Sequence, residues 1–168
     1  MSPQDKYPVK GTVYWQTTGK LLPRRIYQIL KELGLKVWIN PRQGNDIDLK
    51  VWYDSSLIIA GEILNWSVKS QLSNKRQYSI ISNLRNYNCR RLVICTILDE
   101  RSISELIEEG IDVLQIGYQI LPRYYYEFFL EKRQIEKRKI DSNETKQKIR
   151  KLLINYLEKH FPHVRVYY

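Results

Sequence analysis

The chain has 168 residues, enough for one domain with an extension, and 43% of them are hydrophobic, enough for a real core. Lys and Arg number 28 against 18 Asp and Glu, a formal charge of +10, which favours polyanionic partners, nucleic acid first. No apolar run reaches about 18 residues and the first residues, MSPQDKYPVKG, lack an apolar signal core, so neither a membrane span nor a leader is expected.

Residues 1–18 are polar and aromatic with two prolines and read as an irregular arm with a short strand at most. From Gly19 the spacing of Leu22, Ile26, Ile29, Leu30 and Leu33 predicts a helix. Pro23 suits its first turn and Gly34 its C-terminal cap. LKVWIN (35–40) is a strand stopped by Pro41, and RQGN (42–45) is a turn. The next strand, 46–53, puts Asp46, Asp48, Lys50 and Trp52 on one face. After a short loop, 57–66 is an almost continuous apolar strand interrupted by Glu62.

A helix follows over 70–87, then a buried strand (90–97) that contains Cys95 as a core residue. A helix over 102–109, capped by Asp99 or Ser102 and ended by Gly110, precedes a strand over 111–117. This alternation predicts an α/β domain with a mixed central sheet flanked by helices. From Glu131 to Lys151 basic polar residues dominate, and Ile149, Leu152, Leu153, Tyr156 and Leu157 then recur at helical spacing. The division expected is an arm (1–18), a core domain (19–130) and a basic helical C-terminal extension (131–168). The later turns of that extension are expected to pack on the domain itself, on a second subunit as a homodimer interface, or on nucleic acid.

Asp48 and Glu62 carry the chemistry. A carboxylate inside an apolar strand is costly to desolvate without a partner. Two on neighbouring strands can share a divalent cation such as Mg2+, which prefers hard oxygen ligands. The alternatives are a turn-bound Asp46, a structural Asp48 and a binding module without catalysis. Phosphate loops of the GxxxxGK type and GxGxxG motifs are absent from the sequence. Both histidines, His160 and His163, fall in the last nine residues, which disfavours histidine general-base chemistry.

The order of elements, the aspartate in DIDLKVWYD after a Gly-containing turn and the glutamate in LIIAGEILNW resemble the PD-(D/E)XK nuclease superfamily, archaeal Holliday junction resolvases and Mrr-type nucleases among them. The resemblance covers roughly residues 19–120. It implies a restriction-endonuclease-like core and metal-dependent endonuclease activity on duplex or branched DNA. It implies Asp48 and Glu62 as catalytic ligands of Mg2+ or Mn2+, with the Ile63 carbonyl as a further metal ligand. The lysine that the family places two residues after the acid is Leu64 here. Lys69, Lys75 and Lys50 are the candidates to replace it, Lys75 slightly preferred, with Gln71 and Gln77 as further polar candidates. The glutamate of the family's first helix has no clear counterpart; Glu32 falls near the helix end. Arg24, Arg25, Lys69, Lys75, Arg76, Lys137, Arg138 and Lys139 are expected to contact DNA. The missing lysine also supports an inactive nuclease-fold protein that binds nucleic acid or serves in assembly. A cytoplasmic location is expected, in the host if the chain is viral. The Tyr-, Ile- and Lys-rich composition suits a thermophilic archaeon or its virus.

Overall fold

A computed structural model describes residues 12–41, 46–65 and 72–168 of the chain. Helix α1 (Thr12–Glu32) leads into strands β1 (Lys36–Ile39), β2 (Leu49–Tyr53) and β3 (Ser56–Leu64). Helix α2 (Asn74–Arg85), β4 (Arg90–Cys95), α3 (Glu100–Glu108) and β5 (Asp112–Gln115) follow. These five strands form one sheet in the order β1-β2-β3-β4-β5. The first three pair antiparallel, and β4 and β5 run parallel to β3.

Alternation along the strands sorts the core onto two faces. Leu49, Val51, Ile59, Ile63, Leu92 and Ile94 pack with the apolar stripe of α1. Ala60, Leu64, Val93 and Cys95 pack with Ile80 and Leu84 of α2 and Leu106 of α3. The sheet is therefore a middle layer between two helical layers, an α/β architecture. Cys95 is buried and Cys89 half-buried, and both are free thiols.

Helix α1 begins at Thr12, inside the segment expected to be an irregular arm, and Pro23 sits in its interior rather than its first turn. Pro23 has no N–H to give the Gly19 carbonyl one turn earlier. Both residues line the cleft described below, so the gap in the ladder falls at the domain's surface, not in its core. Gly34 ends the helix at φ +92°, with the Leu35 amide donating to the Leu30 carbonyl at 3.1 Å.

The C-terminal third differs from the extension expected from its charge. After β6 (Gln119–Leu121) and α4 (Arg123–Glu131), strand β7 (Arg138–Ile140) pairs parallel with β6 as a separate two-stranded sheet. The aromatic run RYYYEFF, given no element above, forms α4, and Tyr125 packs there on Leu121. A capping box between Ser142 and Thr145 starts α5 (Asn143–His160). Its Ile149, Leu153, Tyr156 and Leu157 join the α1 core directly. The basic residues of 131–151 thus surround a strand and one face of a packed helix rather than a helical arm, because the buried stripe binds the segment to α1. No helix among the described residues is long and apolar enough to cross a membrane.

Candidate active site

Register brings the two acids together. The Asp48 amide donates to the Gly61 carbonyl at 3.0 Å, and the Asn40 amide donates to the Asp48 carbonyl at 2.9 Å. The ladder therefore extends past the start of β2 and sets Asp48 beside the Gly61–Ile63 segment of β3. Asp48 Oδ2 accepts a hydrogen bond from the Ile63 amide at 2.8 Å. On its other side Gly61 lets β3 approach β4 closely: a Cβ there would lie 2.8 Å from the Leu92 carbonyl oxygen of β4.

Glu62 points to the α2 face with 2% of its surface exposed. Burial is the main influence on its carboxyl, and a hydrogen bond and charge repulsion from Asp48 add to it. The Arg76 guanidinium and a hydrogen bond from Asn83 pull the other way. The net result is a carboxyl pushed up to about 9, so Glu62 keeps its proton at neutral pH.

The pair opens into a cleft of about 760 Å³. Helix α1 contributes Lys20, Arg24 and Tyr27 to its wall, and α2 contributes Arg76 and Asn83. Ser73 caps α2, accepting from the Arg76 amide at 3.1 Å, which places Arg76 in the first turn. Asn83 lies two turns further along the same face. Asn65 closes the end of β3: its side chain donates to the Ile120 carbonyl at 3.1 Å and accepts from the Ile120 amide at 3.3 Å. The cleft floor thereby gains a tie to β6.

The residues singled out from the sequence fall into several groups. Asp48, Glu62, Ile63, Arg24 and Arg76 line the cleft. Leu64 lines it too. Lys75 is exposed and lies outside the lining, one residue from Arg76. Lys69 and Gln71 lie outside the described residues. Gln77 is buried and donates to Glu105.

Lys50 is held beside the site rather than in it. Its ammonium sits 3.3 Å from Asp46 and over the rings of Trp38 (4.7 Å) and Tyr87 (5.3 Å). Burial pushes the Asp46 carboxyl up, but hydrogen bonds from the Ile47 amide, Tyr87 and Lys50 outweigh it and the net shift is downward. Asp46 is thus a knotted turn residue at the cleft rim.

Arg25 turns away from the cleft to Asp141, donating through both Nε and Nη2, and to Gln28. Glu32 pairs with Lys146 at 2.8 Å and Arg150 at 3.2 Å, clamping α1 to α5. Arg138 donates to the Gln134 carbonyl at 2.6 Å and lies over the Phe129 ring, while Lys139 lies over Tyr118. Arg138, Lys139 and their neighbour Lys137 belong to the β6–β7 region and do not line the cleft.

Asn83, Lys20 and Tyr27 were not singled out from the sequence. Their signal is spacing: Lys20, Arg24 and Tyr27 step by four and three along α1, and Asn83 follows Arg76 by seven.

Among the described residues no group of three or more His, Cys, Asp or Glu is placed to hold a metal ion. The donor set offered to a cation is therefore two carboxyls and backbone carbonyl oxygen, all hard ligands that suit Mg2+ or Mn2+. The pair's retained proton is the group such an ion would displace. Scanned against protein families, the chain matches no family model, and no curated protein matches it.

Proposed function

We propose that the chain is a metal-dependent DNA endonuclease with a restriction-endonuclease-like core. The carrying observation is Glu62, buried to 2% exposure and held against Asp48 at the floor of an open, cation-walled cleft. A buried acid stacked on a second acid is costly, and such arrangements cluster at functional sites. The meander β1–β2–β3, followed by α2 and the parallel β4, supports the resemblance of the core.

In this reading Asp48, Glu62 and the Ile63 carbonyl hold one Mg2+ or Mn2+. The ion, when bound, polarises the scissile phosphate and lowers the pKa of an attacking water. Lys20 and Arg24 hold the DNA backbone along the α1 wall. Arg76 takes the place of the absent lysine: it faces Glu62 across the cleft and supplies fixed positive charge where the phosphate gains negative charge. Lys75, one residue away and exposed, is not assigned that role. The Asn83 hydrogen bond holds the Glu62 carboxyl in orientation.

A second reading follows from Leu64. With an apolar residue in the lysine's position, the cleft would bind DNA without cutting it. An assay on supercoiled plasmid separates the two. Nicking that requires Mg2+ or Mn2+, and that disappears in Asp48→Ala and Glu62→Ala, supports the endonuclease. Salt-sensitive binding with no nicking under either ion supports the binding protein.

A further inference from the structure

The opposite end of the same sheet edge carries a second concavity of about 580 Å³. Its walls include Lys36, Trp52, Tyr53, Arg165 and Tyr167. Three aromatic rings and two cations converge there, a composition that suits a flat aromatic ring carrying an anionic group. Neither Lys36 nor Arg165 makes an ion pair among the described residues. The Lys36 ammonium sits 5.2 Å from the centre of the Trp52 ring, which fixes that cation at the pocket wall.

The C-terminal tail builds the other wall and is pinned at several points. The Tyr167 amide donates to the Leu33 carbonyl at 3.0 Å, and Arg150 donates to the Tyr167 carbonyl at 3.3 Å. The Tyr167 ring lies so close to Gly34 that an added Cβ would come within 2.6 Å of it. The Arg165 amide reaches the Tyr53 hydroxyl at 3.5 Å. Despite these anchors, 74% of Tyr167 remains exposed. One side of the ring is thus held against Gly34 and most of the residue is open, an arrangement that holds an aromatic platform in water. At the rim, Asp54 and Ser55 form a two-residue turn with φ of 47° and 68°, angles usually left to Gly or Asn. The Asp54 carboxylate can accept from a base N–H.

We infer that this pocket binds one unpaired nucleotide of a single strand. Its base stacks on Tyr167 with Trp52 and Tyr53 around it, and its phosphate meets Lys36 and Arg165. Strand β1 joins the pocket to the acidic cleft, with Lys36 at one end and Ile39 at the other. From Lys36 to Asn40 the separation is about 13 Å, or about four nucleotides at duplex spacing. The assignment does not depend on cleavage in the cleft.

The test is fluorescence anisotropy with a labelled five-nucleotide thymidine strand in EDTA, so that no metal chemistry enters. Saturable, salt-sensitive binding is expected, weaker by tenfold or more for a blunt duplex of about twenty base pairs at equal nucleotide concentration. The exposed double variant Lys36→Glu/Arg165→Glu should lose at least tenfold in affinity. Tyr167→Leu, which keeps an apolar group against Gly34, should lose severalfold. Wild-type affinity in the double variant or equal binding of duplex would each overturn the assignment.

Discussion

The Glu62 carboxyl reaches Asp48 across two adjacent strands, and the Asp48 carboxylate is itself fixed by the Ile63 amide at 2.8 Å. The two acids are therefore oriented by backbone, not by flexible loops. That rigidity is what a cation site needs, and it also has a measurable cost in the absence of a cation.

The cost appears as pH-dependent stability. Burial and Asp48 lift Glu62 from 4.5 to about 9. The folded chain then binds a proton that the unfolded chain has released above pH 4.5. The Glu62 contribution is full below about pH 4.5 and is lost as pH rises through about 9. Glu62→Gln stays neutral at every pH. It should gain on wild type from about pH 5 to pH 9, by at most about 1.4 kcal/mol per pH unit. Thermal melts across that range check this, and parallel curves for the two proteins would contradict it.

Arg76 and Lys75 are neighbours with different surroundings. Arg76→Ala should lower cleavage by about a hundredfold or more, the scale of losing one oriented stabiliser of transition-state charge. Lys75→Ala should change it by less than about threefold, since surface charges contribute little. Single-turnover rates on the same DNA decide it, and the opposite ranking would return the role to Lys75.

Arg24 and Arg25 diverge in the same way. Arg24→Ala should weaken DNA binding and reduce the dependence of log affinity on log salt by about one. Arg25→Ala breaks a two-point contact with Asp141 and should cost about 2 kcal/mol of folding stability, leaving the salt slope unchanged. Salt-titrated binding and denaturant melts of both variants check the pair.

Gly61 supports the site from behind. A methyl group there would meet the Leu92 carbonyl oxygen at 2.8 Å, and that neighbour is backbone. Gly61→Ala should push β3 from β4 and cost about 2 kcal/mol. The displacement falls next to Glu62, so the stabilising effect of added Mn2+ should shrink as well.

The strands were legible because β2 and β3 are short, largely apolar or β-branched and aromatic runs bounded by turn residues, and the helices because their apolar residues recur at helical spacing. The start of α1 was not: TVYWQTT is rich in β-branched and aromatic residues, which weakly oppose helix, and its continuity with the buried stripe from Leu22 onward overrides that preference. Residues 131–151 read as a charged arm because a three-residue strand such as β7 has too little pattern to detect, and because the stripe of Ile149 and Leu153, legible by its spacing, does not say what it packs on. In the site, Asp48 and Glu62 announced themselves as acids among apolar residues. Arg76 could not be told from Lys75 without the helix phase that the Ser73 cap sets. Arg25, equally basic in the sequence, needed the distant Asp141 to reveal its structural task.

Calorimetric titration of Mn2+ at pH 7, in two buffers of different ionisation enthalpy, tests the central claim most directly. The account predicts one site that releases about one proton per ion, because Glu62 must give up its proton to bind, with binding lost in Asp48→Ala and in Glu62→Gln. No heat beyond dilution, or identical Mn2+ binding in wild type and both variants, would contradict the reading of this carboxyl pair as a metal site.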